Sequence, residues 1–233
     1  MTVDEKMLLL RNYDLWCHIN EEEYKELQLI HNFIEAKKGD YIYFDSHFHN
    51  KLYFLKNGYI KIGYIDESGK EIIKEIIQRG EVFGQVTLEK NNLNGEFALA
   101  YKGDVSLCAF TIEDFQKLLK TKPHLALEFT KQVGGKLHKI QNRLLNLLNK
   151  DVKTRLINFF GQLVEENIGE NTPEGFCIPN YLTHEDIANL IGSTRQTVTT
   201  MINELEAEGV LQYSRHQICF LDVKKIQNLL SVT

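Results

Sequence analysis

The residues best suited to chemistry lie near the C-terminus, in the segment THEDIANLIGSTRQTVTTMINELEAE. Thr183 with Asp186, and Ser193 with Gln196, have the spacing of two capping boxes, so each pair predicts the start of a helix. Gly192, between the two predicted helices, suits a turn that needs a positive φ. The segment therefore predicts two short helices joined by a tight turn.

The second helix of this pair has one apolar face and one hydrogen-bonding face. Val198, Ile202 and Leu205 share the inward face, because a helix advances by about 100° per residue. The outward face carries Arg195, Gln196, Thr199, Thr200 and Asn203. Arginine can bond guanine O6 and N7, and glutamine can bond adenine N6 and N7, so this face suits the major groove of DNA.

The flanks of that helix suit the phosphate backbone. Ser193, Thr194 and the N–H groups of the helix start can hold a phosphate. The segment VLQYSRHQICFLD then predicts two short strands with a turn near Arg215, a wing that reaches the backbone. Two alternatives stay open: Gln196 can complete the cap of Ser193 instead of reading a base, and such helix pairs also occur in proteins that bind no DNA.

The rest of the chain predicts an antiparallel β-domain before this unit, and so an α+β fold. Residues 4–30 suggest one or two short helices, whereas from Gly39 short alternating apolar runs are separated by Asp, Gly and Asn. Such closely spaced runs favour a sandwich or barrel. The loop at residues 66–69 suits a hairpin, and Thr111 can cap a helix where the sheet ends.

A long helix from about Pro123 to Asn149 links the two parts. Its apolar residues repeat at heptad spacing, which favours a parallel dimer, and the predicted interface consists of Val133, Leu137, Ile140, Leu144 and Leu147. The alternative is a stripe that packs on the chain's own sheet. The adjacent Gly134 and Gly135 mark a close helix approach or a flexible point, and Asp151 predicts the cap of the next helix.

Charge and composition narrow the class of protein. The net charge is −5, and residues 151–233 hold 6 Lys+Arg against 11 Asp+Glu, so DNA binding is expected to depend on a few well-placed cations. No apolar stretch approaches a membrane span and no signal peptide is evident, which predicts a cytoplasmic protein without membrane contact. The cysteines form no CxxC pair and are expected to be buried apolar residues: Cys17, Cys108, Cys177 and Cys219.

Together these motifs resemble the family of the cAMP receptor protein and the FNR regulators over nearly the whole chain. The resemblance is carried by KLYFLKNGYIKIGYIDESGKEIIKEIIQRGEVFGQ, the long helix, Asp151 and LTHEDIANLIGSTRQTVTTMINELEAEGVL. It implies a β-roll sensing domain of the cyclic-nucleotide-binding, double-stranded jelly-roll type over residues 1–122. A dimerisation helix and hinge over 123–150 and a winged helix-turn-helix over 151–233 would follow.

The resemblance also implies a function: a homodimeric transcription regulator, not an enzyme, that binds palindromic double-stranded DNA and acts with RNA polymerase. Its recognition helix would span residues 193–208. Arg195 matches the family arginine that reads guanine, whereas Gln196 replaces a glutamate and Thr200 a second arginine of the cAMP-type members. Thr194 and Thr197 match hydroxyls near phosphates. The candidate DNA contacts are Thr183, Ser193, Thr194, Arg195, Gln196, Thr197, Thr199, Thr200 and Arg215.

The sensing domain departs from the cAMP-binding members of that family. Their Gly-Glu-Leu turn is Gly84-Gln85-Val86 here, and NNLNGEFALAY lacks the Arg-Ser pair that holds the cyclic phosphate. The loss of a charge-assisted bidentate contact predicts that cAMP does not bind. Iron–sulfur is not expected because only Cys17 lies near the N-terminus, and no histidine stands out as a haem ligand. An unidentified small effector, or none, remains, with Gly84, Gln85, Val86 and Leu137 lining the default pocket.

Two rival functions remain open. His47-Phe48-His49 resembles part of a cupin-like metalloenzyme site, but two histidines without a following acid rarely suffice, so no metal ligand and no catalytic residue is predicted. The second rival is a β-roll regulator that acts through protein contacts. The acidic C-terminal part gives that alternative its weight.

Overall fold

The computed structural model describes residues 31–44, 50–88, 95–166, 169–223 and 225–226. The chain divides into two compact units between His138 and Lys139, inside one long helix. The helices expected over residues 4–30, Cys17, and the histidines at 47 and 49 lie outside the described residues.

Antiparallel strands build the first unit: β1 (His31–Ala36), β2 (Tyr41–Phe44), β3 (Lys51–Ile65), β4 (Glu71–Ile77), β5 (Val82–Gly84) and β6 (Glu96–Thr111). Their sheet has the order β1-β6-β3-β4, with β2 paired to β6 and β5 paired to β3. The predicted hairpin joins β3 to β4, and Gly69 has the positive φ of 81° that this turn needs. The antiparallel β-domain is therefore confirmed.

Two of the predicted turns are bends inside long strands. The apolar runs on either side of Gly58 belong to β3, and those on either side of Gly103 belong to β6. The pairing register shifts around Asn57, and Gly58 has a φ of 87°, so the strand bulges there without ending. The sequence pattern also missed β1, which pairs along the second half of β6.

Two helices follow the sheet, α1 (Ile112–Thr121) and α2 (Pro123–Asn149). Thr111 caps α1 as predicted, because its side chain accepts a hydrogen bond from the Asp114 N–H. In α2, Leu125 and Phe129 are buried in a core that they share with β3, β6 and α1. The first part of α2 is thus packed on the β-domain.

The first residue of the predicted dimer face of α2 also packs on its own unit. Val133 is partly buried against the core of the first unit, so the alternative of a stripe on the chain's own sheet applies at this position, and its part in a dimer stays a prediction. Leu137, Ile140 and Leu144 are each at least 55% exposed. Beyond the adjacent residues and nearby backbone of the helix itself, a Cβ placed on Gly134 or Gly135 would meet no atom of the described residues within 4 Å. The helix α2 runs through both glycines unbroken.

The second unit contains α3 (Val152–Glu165), β7 (Glu170–Thr172), β8 (Gly175–Pro179), α4 (His184–Ile191), α5 (Arg195–Ala207), β9 (Leu211–Tyr213) and β10 (Gln217–Phe220). The strands form a sheet in the order β7-β8-β10-β9. Asp151 caps α3 as predicted by accepting a hydrogen bond from the Thr154 N–H, and this bond lowers the pKa of the Asp151 carboxyl. No helix in the described part of the chain is long and apolar enough to cross a membrane.

A disulfide ties the sheet of the second unit together. Cys177 on β8 and Cys219 on β10 face each other in register and are bonded. These two cysteines are buried as expected, but the sequence did not indicate that they are bonded to each other. Cys108 is buried in the first unit as expected. The two cysteines are 42 residues apart, and the loop that they close contains α4, α5 and β9.

Candidate nucleic-acid interface

The two helices predicted at residues 183–208 are present as α4 and α5. Thr183 and Asp186 form the expected capping box at the start of α4, and Asp186 is only 1% exposed. Gly192 ends α4 in the left-handed conformation, with a φ of 66° and a ψ of 53°. A residue with a Cβ would be strained at this φ, so glycine allows the sharp turn between the helices.

The cap of α5 is one residue later than the spacing indicates. Thr194, not Ser193, is the N-cap, and its Oγ1 accepts a hydrogen bond from the Thr197 N–H. Gln196 is the second residue of the helix, it is exposed, and it takes no part in this cap. Of the two roles left open for Gln196, capping the helix and reading a base, the structure does not use the first.

The faces of α5 are divided as predicted. Val198, Ile202 and Leu205 are at most 1% exposed. Arg195, Gln196 and Thr200 are exposed on the opposite face, whereas the acidic residues lie at the far end: Glu204, Glu206 and Glu208. The leading half of α5 therefore presents one guanidinium, one amide and hydroxyls to an approaching partner.

Thr199 also has a structural role that the sequence did not indicate. Its hydroxyl donates to the Arg195 carbonyl oxygen at 2.9 Å, and His184 Nδ1 lies 2.8 Å from the same Oγ1. Because the hydroxyl proton is used toward Arg195, Thr199 accepts from the Nδ1–H of His184. Thr199 thus links α4 to α5, and its DNA contact stays a prediction.

His184 is a residue that sequence reasoning missed. Its ring packs against the Tyr213 ring at 4.8 Å, and Tyr213 donates a hydrogen bond from its hydroxyl to the Leu182 carbonyl oxygen at 2.8 Å. Burial and the neighbouring Arg195 cation lower the pKa of His184, and Glu206 opposes this shift. No spacing rule indicates such a residue, because its partners, Thr199 on α5 and Tyr213 on β9, are distant along the chain.

The wing has the predicted form. Its turn is closed by a hydrogen bond from the Ser214 N–H to the Gln217 carbonyl oxygen, and the Asn180 side-chain amide donates to the Ser214 carbonyl oxygen at 2.6 Å. Arg215 stands at the exposed tip. The turn therefore holds one cation away from the body of the unit.

Several cations of the second unit are already engaged. Lys153 lies 3.3 Å from Glu208 Oε1 and 3.9 Å from Glu204 Oε2, and Lys225 donates to the Glu208 carbonyl oxygen. Among the arginines described in this unit, Arg195 and Arg215 are the exposed ones. These two guanidiniums are placed for an anionic partner.

The predicted effector residues of the first unit fall into two groups. Gly84 and Gln85 are packed inside: a Cβ on Gly84 would lie 2.7 Å from the Lys51 carbonyl oxygen, and Gln85 is 2% exposed. Val86 packs partly against the core. Leu137 is 55% exposed on the open face of α2, and its place in this pocket stays a prediction.

Polar groups that the sequence did not indicate join α2 to this region. The ammonium of Lys136 lies 2.9 Å from Glu75 Oε2 and donates to the Val82 carbonyl oxygen at 3.1 Å. The side-chain oxygens of Gln85 and Gln132 are buried without a hydrogen-bond partner among the described residues. Within the same residues, no group of three or more His, Cys, Asp or Glu side chains is placed to hold a metal ion.

Comparison with known proteins matches both units of the chain. Residues 33–122 fit the model of the cyclic nucleotide-binding domain, and residues 154–229 fit that of the Crp-like helix-turn-helix domain. The chain is 29% identical over 186 residues to the global nitrogen regulator of Synechococcus elongatus, covering 79% of this chain and 83% of that protein. It is 25% identical over 161 residues to the cAMP-activated global transcriptional regulator CRP of Pasteurella multocida, covering 69% and 76%.

The fold also matches a solved structure. A CooA variant from Carboxydothermus hydrogenoformans superposes with a TM-score of 0.78 at 24% identity, covering 95% of this chain and 97% of that one. The predicted combination of an antiparallel sensing domain and a C-terminal helix-turn-helix is therefore confirmed.

Proposed function

The chain belongs to the Crp/Fnr family of DNA-binding transcription regulators, and we propose that it reads DNA by inserting the leading half of α5 into the major groove of a two-fold symmetric site. The observation that carries this proposal is the exposed face at the start of α5, where Arg195, Gln196 and Thr200 stand clear of the cap. Arg195 would bond guanine O6 and N7, and Gln196 would bond adenine N6 and N7.

The phosphate contacts would surround this face. Thr194 and Thr197 lie at the N-terminal end of α5, where backbone N–H groups and the helix dipole favour an anion. The further candidates for phosphate contacts are Ser193, whose side chain takes no part in the cap, Thr183 at the start of α4, and Arg215 on the wing. Since few cations are available, we expect a salt dependence shallower than that of strongly basic regulators.

The dimer would form along α2. Leu137, Ile140, Leu144 and Leu147 recur at heptad spacing and are between 39% and 56% exposed in the single chain. Exposed apolar residues in such a row are typical of a helix that packs against a second copy. The open space around Gly134 and Gly135 is consistent with a close approach of the two helices.

We further propose that the first unit binds a small effector other than cAMP. The buried amide oxygens of Gln85 and Gln132 are acceptors without a donor among the described residues, and a buried acceptor left unsatisfied costs about 1–3 kcal/mol. A ligand that offers N–H or O–H groups would satisfy them, whereas the anionic phosphate of cAMP would meet an amide in place of its expected partners. No iron–sulfur cluster or haem is proposed. The regulator would act in the cytoplasm, on RNA polymerase at its promoters.

The base-reading role of Arg195 is tested with duplexes from the chain's own promoter region. Arg195→Ala should weaken binding to the specific site by about tenfold or more, since a bidentate arginine–guanine contact contributes about 1–3 kcal/mol of discrimination. Binding to scrambled duplex should change far less. Arg79→Ala, which removes an exposed arginine from the first unit, is the matched control. An equal loss on both duplexes would contradict base reading.

The effector proposal is tested with Gln85→Leu, which removes the buried acceptor. We expect this variant to unfold at a higher temperature than the wild type in the absence of ligand. It should also lose the thermal stabilisation that hydrogen-bond-donating metabolites give the wild type in a ligand screen. Stabilisation of the wild type by micromolar cAMP would contradict the proposal.

A further inference from the structure

One arginine of the second unit donates hydrogen bonds to three backbone carbonyl oxygens, which lie at the ends of two different helices. The Arg155 guanidinium donates from Nε to the Ile191 carbonyl oxygen at 2.8 Å, and from Nη2 to the Gly192 carbonyl oxygen at 3.0 Å. Its Nη1 donates to the Lys150 carbonyl oxygen at 2.9 Å. We propose that Arg155 is a positioning residue that fixes recognition helix α5 relative to the C-terminal end of α2; the inference rests on the proposed function.

The three acceptors are those that a helix leaves unsatisfied. Ile191 is the last residue of α4 and Gly192 its left-handed cap, so both carbonyls lie at a helix C-terminus, where a cation is favoured. Lys150 follows directly after α2. Thr194, the cap of α5, is two residues beyond Gly192. Arg155 therefore joins the end of α2 to the turn from which α5 starts.

Other contacts of α2 converge on the same turn. Arg143 Nη2 donates to the Asn189 carbonyl oxygen at 3.1 Å. A Cβ on Gly192 would lie 2.6 Å from Leu147 Cδ2, so the Leu147 side chain closely backs the turn. The Asn158 amide of α3 donates to Asn146 Oδ1 of α2 at 3.1 Å. A displacement of the end of α2 would thus move the turn and α5 with it.

The chemistry of this contact requires arginine rather than any cation. The guanidinium is planar and offers donors in fixed directions, which suits carbonyls at three separate positions. A lysine ammonium is a compact charge on a flexible stem and cannot reproduce that geometry. Arg155→Lys keeps the charge near the helix ends but should lose the fixed orientation.

The coupling is tested first without DNA. Spin labels are placed at Gln141 on α2 and Asn203 on α5, both exposed, through encoded ketone residues, because the chain has its own cysteines. Labelled protein is diluted into an excess of unlabelled chain, and double electron–electron resonance then measures the distance distribution within one copy. We expect Arg155→Lys to broaden the distribution, and Lys153→Arg on the same helix to leave it unchanged. An unbroadened distribution in Arg155→Lys overturns the proposal.

The second arm uses DNA duplexes in which the spacing between the two half-sites varies by one base pair in either direction. The wild type should lose about tenfold in affinity when the spacing changes, a cost similar to that of one mismatched base pair, whereas Arg155→Lys should lose less than about threefold. Loss of folded protein would lower affinity equally at every spacing, so the ratio between spacings reports positioning. An unchanged ratio overturns the proposal.

The two arms separate this inference from the proposed function. If the wild type selects no duplex, the DNA-reading proposal fails, and the spin-label distances alone decide whether Arg155 positions α5. If Arg155→Lys does not fold, Arg155→Gln, which retains an amide donor, replaces it in both measurements with the same expected results.

Discussion

At the residue scale, neighbouring side chains at the start of α5 divide two tasks. Thr194 satisfies the helix end by accepting the Thr197 N–H, with Oγ1 to N at 3.2 Å. Arg195 and Gln196, the next two residues, remain exposed. Because a cap must accept a backbone N–H, a side chain that performs it is less available to a base. Because the cap is on Thr194, the side chain of Gln196 remains available for the proposed base contact.

This division predicts different effects for two adjacent hydroxyls. Thr194→Ala should lower the free energy of unfolding by about 1 kcal/mol, the usual contribution of an N-cap side chain. Ser193→Ala, the matched control, should change it by less than about 0.5 kcal/mol, as for an ordinary surface position. Urea denaturation of both variants measures the difference. A larger loss in Ser193→Ala would contradict the assignment of the cap.

His184 predicts a pH dependence of stability. Its pKa is lowered in the folded chain by burial and by Arg195, so folding favours the neutral ring. The stability that it contributes is present above the ordinary histidine pKa of about 6.5 and is lost as the pH falls below that value, because the unfolded chain then binds the proton more readily. His184→Gln should lose less stability than the wild type between neutral pH and mildly acidic pH in thermal unfolding. Parallel losses would contradict this role.

The sequence indicated which residues lie at this site more reliably than which contacts each of them makes. Ser193 and Thr194 both carry a hydroxyl that can cap a helix. Which of them does so depends on the direction that the backbone takes after the left-handed residue Gly192. Thr199 lies on the outward part of the helix by spacing, but the ring of His184, fifteen residues earlier, engages its hydroxyl. Such tertiary contacts leave no periodic signal, whereas the apolar face of α5 does, and it was predicted correctly.

At the element scale, the helix-turn-helix lies inside a covalent loop. The bond between Cys177 and Cys219 encloses α4, α5 and β9, so it restricts the unfolded chain over the elements that read DNA. Sequence alone could not pair these cysteines, because the pairing depends on the register of β8 with β10. The same limit applies to Val133, since a heptad repeat does not state whether a position faces a second copy or the chain's own core.

The loop predicts that reduction destabilises the second unit. For a sequence separation of 42 residues, the chain-entropy model gives a stabilisation of about 4 kcal/mol. Adding a thiol reductant should therefore lower the unfolding temperature of the wild type by several degrees. A variant with Cys177→Ala and Cys219→Ala should unfold at the same temperature with and without reductant. Equal unfolding temperatures of oxidised and reduced wild type would contradict the stabilising role.

At the scale of the whole molecule, α2 belongs to both compact units, and its exposed apolar row is the surface proposed for a second copy. Leu144→Glu should convert the dimer to a monomer, because two buried carboxylates would face each other across the interface. Leu127→Glu changes an equally exposed leucine of α2 outside the heptad positions and should leave the dimer intact. Sedimentation equilibrium distinguishes the outcomes. A dimer in Leu144→Glu would place the interface elsewhere.

The central claim is that α5, held in a two-fold symmetric dimer, reads a defined DNA sequence. Selection of duplexes from a random-sequence pool by the purified wild type tests it most directly. We predict enrichment of an inverted repeat whose half-sites are centred about 34 Å apart, one turn of DNA. Enrichment of no sequence, or of a single site without two-fold symmetry, would contradict the account.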